Sequence, residues 1–419
     1  MACRGHYAAG SVPDAGTATS TENPMRHSWQ LDLLDRMMAH HLGGNTTDLG
    51  PAVYHNRVDK YVRQDRYDAE IETLFRRLPL IACLTPDVAN PGDYITLSIA
   101  DIPILVVRDE QGEVRAFRNV CRHRGACVAQ GRGHVGKSFM CPYHAWSYRL
   151  DGRLVAMTHR DGFAGVDKAD NGLNPIACAE LHGLVFIHLD ADPGGFDPSS
   201  WLDGVAGEIA SFGLENYHRT ETRVSSREMN WKLMFDTFGE VYHVEHLHHR
   251  TIHPLVQSNN SCFDAWGSHG RMAVARWTMN DYVDVPREER DLLSAATLLY
   301  YLLPNTVLIQ QVDHVELYQI FPDGPDRCTA HVSLYAPSEP SSDKARAYWA
   351  RNLDLLMEVT ETEDFVMCEQ IQRSFGSGAQ DAIQFGRNEP GLIHFHTTLD
   401  RLLHLETAVA APHSTVLGR

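Results

Sequence analysis

Cys121-Arg122-His123 and, after seventeen intervening residues, Cys141-Pro142-Tyr143-His144 form a C-x-H…C-x-x-H pair of short loops. Each loop offers one thiolate and one imidazole. That donor set suits a [2Fe–2S] centre in which one iron takes the sulfurs and the other the nitrogens. Exchanging two thiolates for neutral imidazoles raises the reduction potential well above that of an all-cysteine cluster. Cys121, His123, Cys141 and His144 are therefore the expected cluster ligands. The rival reading is a structural Cys2His2 zinc site. Zinc fingers of that type pair like with like, as C-x2-4-C and H-x3-5-H, whereas here each loop is mixed.

Around the loops, residues 115–150 contain Arg115, Arg118, Arg122, Arg124, Arg132, Lys137 and Arg149 and no Asp or Glu. This basic collar reads either as solvated charge with internal partners or as a docking face for an acidic electron carrier. Gly131, Gly133 and Gly136 have G-x-G-x2-G spacing but lie between the two loops, where a turn around iron is the better reading than a dinucleotide site. On both sides the pattern is that of short strands: Ile95–Ile99 alternates, Ile104–Val107 is an apolar run, Asp109-Glu110-Gln111-Gly112 is a turn before Val114–Phe117, and Leu184–Leu189 closes the set. The loops thus belong to an all-β domain over residues 78–193, ending at a Pro/Gly/Ser-rich segment, 193–200.

The whole chain, 419 residues with 43% hydrophobic and 22% charged residues, has room for two or three domains and a large core. A net charge of −17 argues against nucleic acid as a partner, and no apolar run is long enough to span a bilayer. Beyond the two cluster cysteines, seven others are scattered without pairing rhythm, as expected of reduced thiols in a cytoplasmic protein. No signal peptide is recognisable. Residues 1–28 are expected to be a disordered tail, with Met25 an alternative start. Residues 29–77 are expected to be helical, with helices at Trp29–Leu42, ended by Gly43-Gly44, and at Asp68–Arg77.

The remainder, 194–419, reads as a second domain of α+β type. A helix is expected over Trp201–Phe212, a strand over 219–227 and a helix from Asn230. Antiparallel strands follow at Thr306–Ile309, His314–Phe321 and Cys328–Tyr335, the last two joined by the turn Pro322-Asp323-Gly324-Pro325. One long helix is expected over 341–375, with a curved sheet wrapped around it. The segment from Asn230 holds His243, His246, His248 and His249 within seven residues. At 100° per residue Asp236, Glu240 and His243 share one helical face. His248, five residues beyond His243, shares a metal with it only if the helix ends or distorts; His246 has the more regular geometry, and spacing alone leaves the second ligand open. Two histidines and one carboxylate make a facial triad with positions free for O2 on non-haem Fe(II). Glu361, Glu363 and Asp364 in the long helix are the available carboxylates, and spacing selects none of them. Phe235, Phe238 and Leu247 read equally as pocket lining and as core.

Taken together, the two sites make the chain resemble the α subunit of the Rieske non-haem iron ring-hydroxylating oxygenases over roughly residues 60–400. Cys121-Arg122-His123-Arg124-Gly125 and Cys141-Pro142-Tyr143-His144-Ala145-Trp146 match the cluster motifs, and Tyr143 stands where mitochondrial-type Rieske proteins have a disulfide cysteine. Asn230-Trp231-Lys232 and Glu240-x-Tyr242-His243-x4-His248 resemble the catalytic-iron motif, and Glu363-Asp364-x3-Cys368-Glu369-x2-Gln372-Arg373 resembles the third-ligand helix. The resemblance implies His243, His248 and Asp364 as ligands of the mononuclear iron. It also implies a Rieske domain inserted in a helix-grip (Bet v 1/START-like) catalytic domain. Gly386–Glu389 with His394-Phe395-His396 resembles the usual C-terminal segment, with no catalytic role assigned.

The resemblance further implies a homotrimer, with or without a β subunit. Electrons from NAD(P)H would arrive through a separate reductase and, in some systems, a ferredoxin. His144 of one chain would pass them to Glu240 of its neighbour, which holds His243, with Asp236 as a supporting residue behind. The expected reaction is O2-dependent hydroxylation of an aromatic or other hydrophobic substrate. Glu240 stands where aromatic dioxygenases have Asp, and Thr237 where an Asn is frequent; the Glu is familiar from oxygenases of quaternary amines. Oxidative N- or O-demethylation is therefore the alternative, and a non-catalytic Rieske electron carrier the competing class.

Overall fold

A computed structural model describes residues 24–192 and 194–409. The expected tail lies outside the described residues up to position 23, and from Pro24 the chain is already helical, through Leu42.

The first seven-stranded antiparallel sheet has the spatial order Leu80–Leu84, Leu184–His188, Pro175–Leu181, Val114–Arg118, Ile102–Arg108, Asp93–Ile99 and Arg132–His134. Its interior strand Ile102–Arg108 is buried on both faces, which is why it reads as a continuous apolar run. Successive side chains point to opposite faces. Ile104 and Val106 accordingly enter the large core shared with the rest of the molecule, while Leu105 and Val107 enter a smaller one beneath the cysteine–histidine loops. A three-stranded sheet, Ser138–Met140, Ser147–Arg149 and Leu154–Ala156, carries the second loop.

The second seven-stranded antiparallel sheet runs His218–Arg227, Arg327–Ala336, Val315–Gly324, Thr306–Gln310, Ala296–Leu302, His269–Arg276 and Val256–Trp266. It separates two cores by the same alternation. Leu299, Tyr301, Val307, Ile309, Tyr318 and Ile320 face an inner core with Trp231, Phe235, Phe238, Leu353 and Phe365. Leu298, Tyr300, Leu302, Leu308, Val315 and Leu317 face an outer one, covered by the N-terminal helix and Ala206–Phe212. This is the expected α+β arrangement of a curved sheet with helices on its inner side. Tyr54–Arg57, ahead of the first sheet, pairs with Ala382–Phe385, beyond the second, so a two-stranded ribbon joins segments that lie on either side of both large sheets in the sequence.

Four helical expectations change. Only Ala206–Phe212 of the segment 201–212 is helical. The helix expected from Asp68 begins at Gln64 and passes through a π turn, Ile71–Phe75. The histidine segment is two short helices, Trp231–Asp236 and Val244–Leu247. Gly239, a poor helix former, lies in the break, and the Glu240 carboxylate accepts the backbone N–H groups of Tyr242 and His243, so Asp236, Glu240 and His243 do not share a helical face. The long helix is continuous from Asp343 to Phe375 but contains a π turn at Thr360–Asp364. Thr360 and Thr362 hydroxyls donate to carbonyls four residues back, Leu356 at 3.0 Å and Glu358 at 2.6 Å, the kind of back-bonding that distorts helices.

Candidate metal centres

The two cluster loops repeat one backbone pattern. Gly125 N–H donates to Cys121 O at 2.9 Å and Ala145 N–H to Cys141 O at 3.0 Å; Cys121 N–H donates to Ala126 O and Cys141 N–H to Trp146 O, both at 2.8 Å. Gly125 and Ala145 both adopt positive φ, 82° and 58°, the left-handed conformation that turns each loop back on itself. Cys121 and Cys141 are buried, and the Tyr148 hydroxyl lies 3.2 Å from Cys121 Sγ. The His123 and His144 rings are 4.6 Å apart between centroids, and Trp146 stacks on His123 at 5.0 Å. Both imidazole Nδ1 atoms are buried without a hydrogen-bond partner. Buried ring nitrogens are normally satisfied, so a paired seat of two thiols and two orphaned nitrogens fits a [2Fe–2S] cluster. Of the basic collar, Arg115, Arg132 and Arg149 pair with Asp109, Asp87 and Glu110 at 2.9, 3.0 and 3.3 Å, acids that all lie outside the run.

The second centre is assembled from three elements. Asn230 caps the first short helix, its side chain accepting from Lys232 N–H at 3.0 Å. Trp231 Nε1 and Lys232 Nζ then reach the fully buried Glu70, at 2.8 Å and 2.7 Å. This pair anchors the site to the helix starting at Gln64; removing one partner of such a buried pair costs about 3–5 kcal/mol. Beyond the break, His243, His248 and Asp364 bring three ligand-capable atoms within 4.8 Å of one another. Asp364 Oδ1 lies 3.0 Å from His248 Nε2 and 3.6 Å from His243 Nε2, and accepts the Thr237 hydroxyl at 2.8 Å.

Each imidazole is backed by a second carboxylate on its other nitrogen. His243 Nδ1 meets Glu240, and His248 Nδ1 meets Glu363 at 2.6 Å, with Thr251 donating to the same Glu363 oxygen at 2.7 Å. Burial pulls both imidazoles toward neutrality. The carboxylates override it and hold both above the ordinary histidine value, through Glu240 and Asp364 for His243 and through Asp364 and Glu363 for His248. Such an excess of carboxylate around two imidazoles is a seat for a cation, with both Nε2 atoms directed toward Asp364. His246 is exposed and outside this group. Glu361 pairs with Arg227 instead.

Asp236 points elsewhere. It accepts the Tyr61 hydroxyl at 2.7 Å and meets His396 Nε2 at 2.7 Å, and Asn56 donates to the same hydroxyl at 2.9 Å. Tyr61, Asn56 and Thr251 carry no sequence signal that distinguishes them, and His396 gave only its place in the C-terminal segment. Phe235 is core, stacked on Phe395 at 4.8 Å, whereas Phe238 lies against Tyr318 at 4.7 Å on the inner face of the sheet.

Residues 79–167 match the family profile of the Rieske [2Fe-2S] domain and residues 214–405 that of the ring hydroxylating alpha subunit (catalytic domain). The chain belongs to the α subunits of the Rieske non-haem iron oxygenases. It is an oxidoreductase that uses a Rieske cluster and a mononuclear iron, with electrons supplied through a separate reductase. A carrier of electrons alone, the competing class, has no need of the second domain. Choline monooxygenase of Spinacia oleracea is 27% identical over 351 residues, 82% of this chain and 77% of that one. The glycine betaine monooxygenase oxygenase subunit of Pseudomonas aeruginosa is 34% identical over 199 residues, 47% of this chain and 45% of that one, so this match spans about half of each. A structure of a quaternary ammonium Rieske monooxygenase described for carnitine oxidation and inter-subunit electron transfer superposes with a TM-score of 0.73 at 21% identity, covering 84% of this chain and 96% of that one.

Proposed function

We propose that this chain is the terminal oxygenase of a system that monooxygenates a small quaternary ammonium compound, with oxidative N-demethylation as the outcome where a methyl group is attacked. The observation that carries this reading is the likeness over most of the chain to an enzyme named for choline, and the glycine betaine relative points the same way. It replaces the first expectation, an aromatic substrate. Glu240 in place of Asp and Thr237 in place of Asn agree with the change.

In this reading Cys121, His123, Cys141 and His144 hold the cluster, and His243, His248 and Asp364 hold the mononuclear iron. When bound, the cluster supplies electrons one at a time and the iron supplies a centre for O2 chemistry. The chain's own residues set the geometry. Glu240 and Glu363 accept from the two Nδ1 atoms and so keep each Nε2 lone pair available, the orienting role that carboxylates play behind metal-bound histidines. Thr237 fixes Asp364. Glu240 also serves as the bridge to His144 of a neighbouring subunit in a homotrimer, and Asp236, held by Tyr61 and His396, supports the loop from behind. A reductase, with or without a ferredoxin, a cytoplasmic location, no nucleic-acid or membrane partner, and a division into residues 29–77, 78–193 and 194–419 complete the proposal.

The test is turnover with a surrogate reductase on choline, glycine betaine, carnitine and a set of aromatic hydrocarbons. Product mass and formaldehyde are followed. Gain of one oxygen, or formaldehyde with loss of a methyl group, is expected from an ammonium substrate. A diol formed from an aromatic ring, with the ammonium compounds inert, would overturn it.

A further inference from the structure

His40, Asp48 and Cys262 come from three segments: the last turn of the helix Pro24–Leu42, the loop after it, and Val256–Trp266, the edge strand of the second seven-stranded sheet. One donor atom of each lies within 4.8 Å of the other two, as the donors of His243, His248 and Asp364 do. Cys262 belongs to the outer core, whereas Val241, Val244 and Phe365 beside the iron residues belong to the inner one. The second trio is therefore a separate place in the fold. Its backbone is docked independently of any ion. Asp48 N–H and the Thr47 hydroxyl both donate to Ser261 O, at 3.1 and 2.9 Å, directly before Cys262. The outward polar atoms are held as well. Thr46 Oγ1 meets His40 Nδ1 at 2.8 Å, and Asp48 Oδ2 accepts Arg36 Nη2 at 2.8 Å and Phe263 N–H at 2.9 Å. That leaves His40 Nε2 and Asp48 Oδ1, 3.0 Å apart, with the free, buried Cys262 thiol beside them. Holding the far nitrogen and the far oxygen is how neighbours orient metal-binding side chains.

Charge and donor type say which ion fits. Asp48, Arg36, Asp264, Arg271 and Glu208 form one chain of ion pairs, at 2.8, 2.8, 2.5 and 2.6 Å in that order. Three carboxylates against two guanidiniums leave one negative charge. A thiolate makes it two, which a divalent cation neutralises. Burial holds the Cys262 thiol up at about 12, so without a metal it keeps its proton, and a coordinating metal removes that proton outright. The thiol proton goes to solvent, while the imidazole proton shifts to Nδ1 and donates to Thr46. One sulfur, one nitrogen and one oxygen make a donor set of the zinc class; magnesium and calcium take oxygens. The His40 and Asp48 side chains are 21% and 31% exposed, which gives an entry path and a fourth position for water.

We propose that His40, Asp48 and Cys262 bind a zinc-class divalent cation that clamps the N-terminal helix and the loop after it to the edge strand of the second sheet. The ion is structural, and the site is independent of the substrate class. The test uses the Asp364→Ala enzyme with its cluster in place, so that the iron residues do not take the added metal. After incubation with zinc chloride and removal of the excess, one zinc ion is expected to stay with each chain and to raise the midpoint of thermal unfolding. Adding His40→Ala or Cys262→Ala is expected to abolish both effects. Cobalt in place of zinc is expected to add thiolate-to-cobalt absorption, read as a difference spectrum over the cluster, and Cys262→Ala to remove it. The proposal is overturned if the parent enzyme retains no metal, if it retains cobalt without the thiolate band, or if zinc is bound equally with and without His40 and Cys262. Should Cys262→Ala not fold, Cys262→Ser keeps the shape of the side chain and is expected to lose the cobalt band; a band that persists there assigns the metal to other cysteines and overturns the site.

Discussion

His248 is gripped on both nitrogens by consecutive residues, Glu363 on Nδ1 and Asp364 on Nε2. The two acids thereby take different tasks although the sequence presents them as equivalent neighbours. Asp364→Ala is expected to abolish mononuclear iron binding and leave the visible spectrum of the cluster intact, as measured by iron content against absorbance; iron retained at full occupancy would shift the ligand role to Glu363. Glu363→Ala is expected to lower iron affinity about 10- to 100-fold without losing the site, read by competition with a chelator. Residue types were legible at this scale: mixed spacing offers Cys121, His123, Cys141 and His144 as one donor set. His248 over His246, and Asp364 over its neighbours, did not follow from spacing. The reason is physical, since both depend on departures from regular helix, at the break around Gly239 and at the π turn.

That π turn is the element on which the proposed iron site depends. In a regular helix consecutive residues diverge by 100°; Glu363 and Asp364, within the π turn Thr360–Asp364, reach the two sides of one ring, and π turns are frequent at functional sites. The threonines that bond back to Leu356 and Glu358 were visible in the sequence, yet an uninterrupted pattern without Gly or Pro reads as plain α-helix. A second element supports the histidine loop from outside. A Cβ added at Gly391, at the start of the last helix, meets the carbonyl oxygen of Gly239 at 2.7 Å, against backbone that cannot swing away. Gly391→Ala is expected to lose about 1–3 kcal/mol of stability in thermal unfolding and to slow turnover, because Glu240 follows Gly239 directly.

At the scale of the whole molecule, the proposed electron transfer between subunits of a homotrimer predicts complementation. Asp364→Ala chains and chains lacking the cluster (Cys121→Ser) should each be inactive alone, and co-assembled trimers should recover turnover; inactivity of a verified mixed trimer would place the electron path within one chain. Stability should also respond to pH through His314. Burial draws its pKa down, but the bonds to Asp313 and Glu316 raise it from 6.5 to about 9 in the fold, so its contribution is fully present below about 6.5 and is lost as pH rises through about 9. The stability difference between wild type and His314→Gln, from denaturant titrations, should shrink across that window. Sheet character was legible from alternation and turn residues, whereas the pairing of Tyr54–Arg57 with Ala382–Phe385 was not, because strands of four residues are too short to carry a periodic signal.

That ribbon sets an order of events during synthesis. The sheet bearing the cluster loops has all its strands once Leu184–His188 has been made. The ribbon waits for Ala382–Phe385, roughly two hundred residues later, and Asp364 itself belongs to that late portion. On the ribosome the residues of the proposed cluster seat are therefore all made well before those of the proposed iron site, so the proposal carries a sequence for maturation: the electron port first, the reaction chamber last.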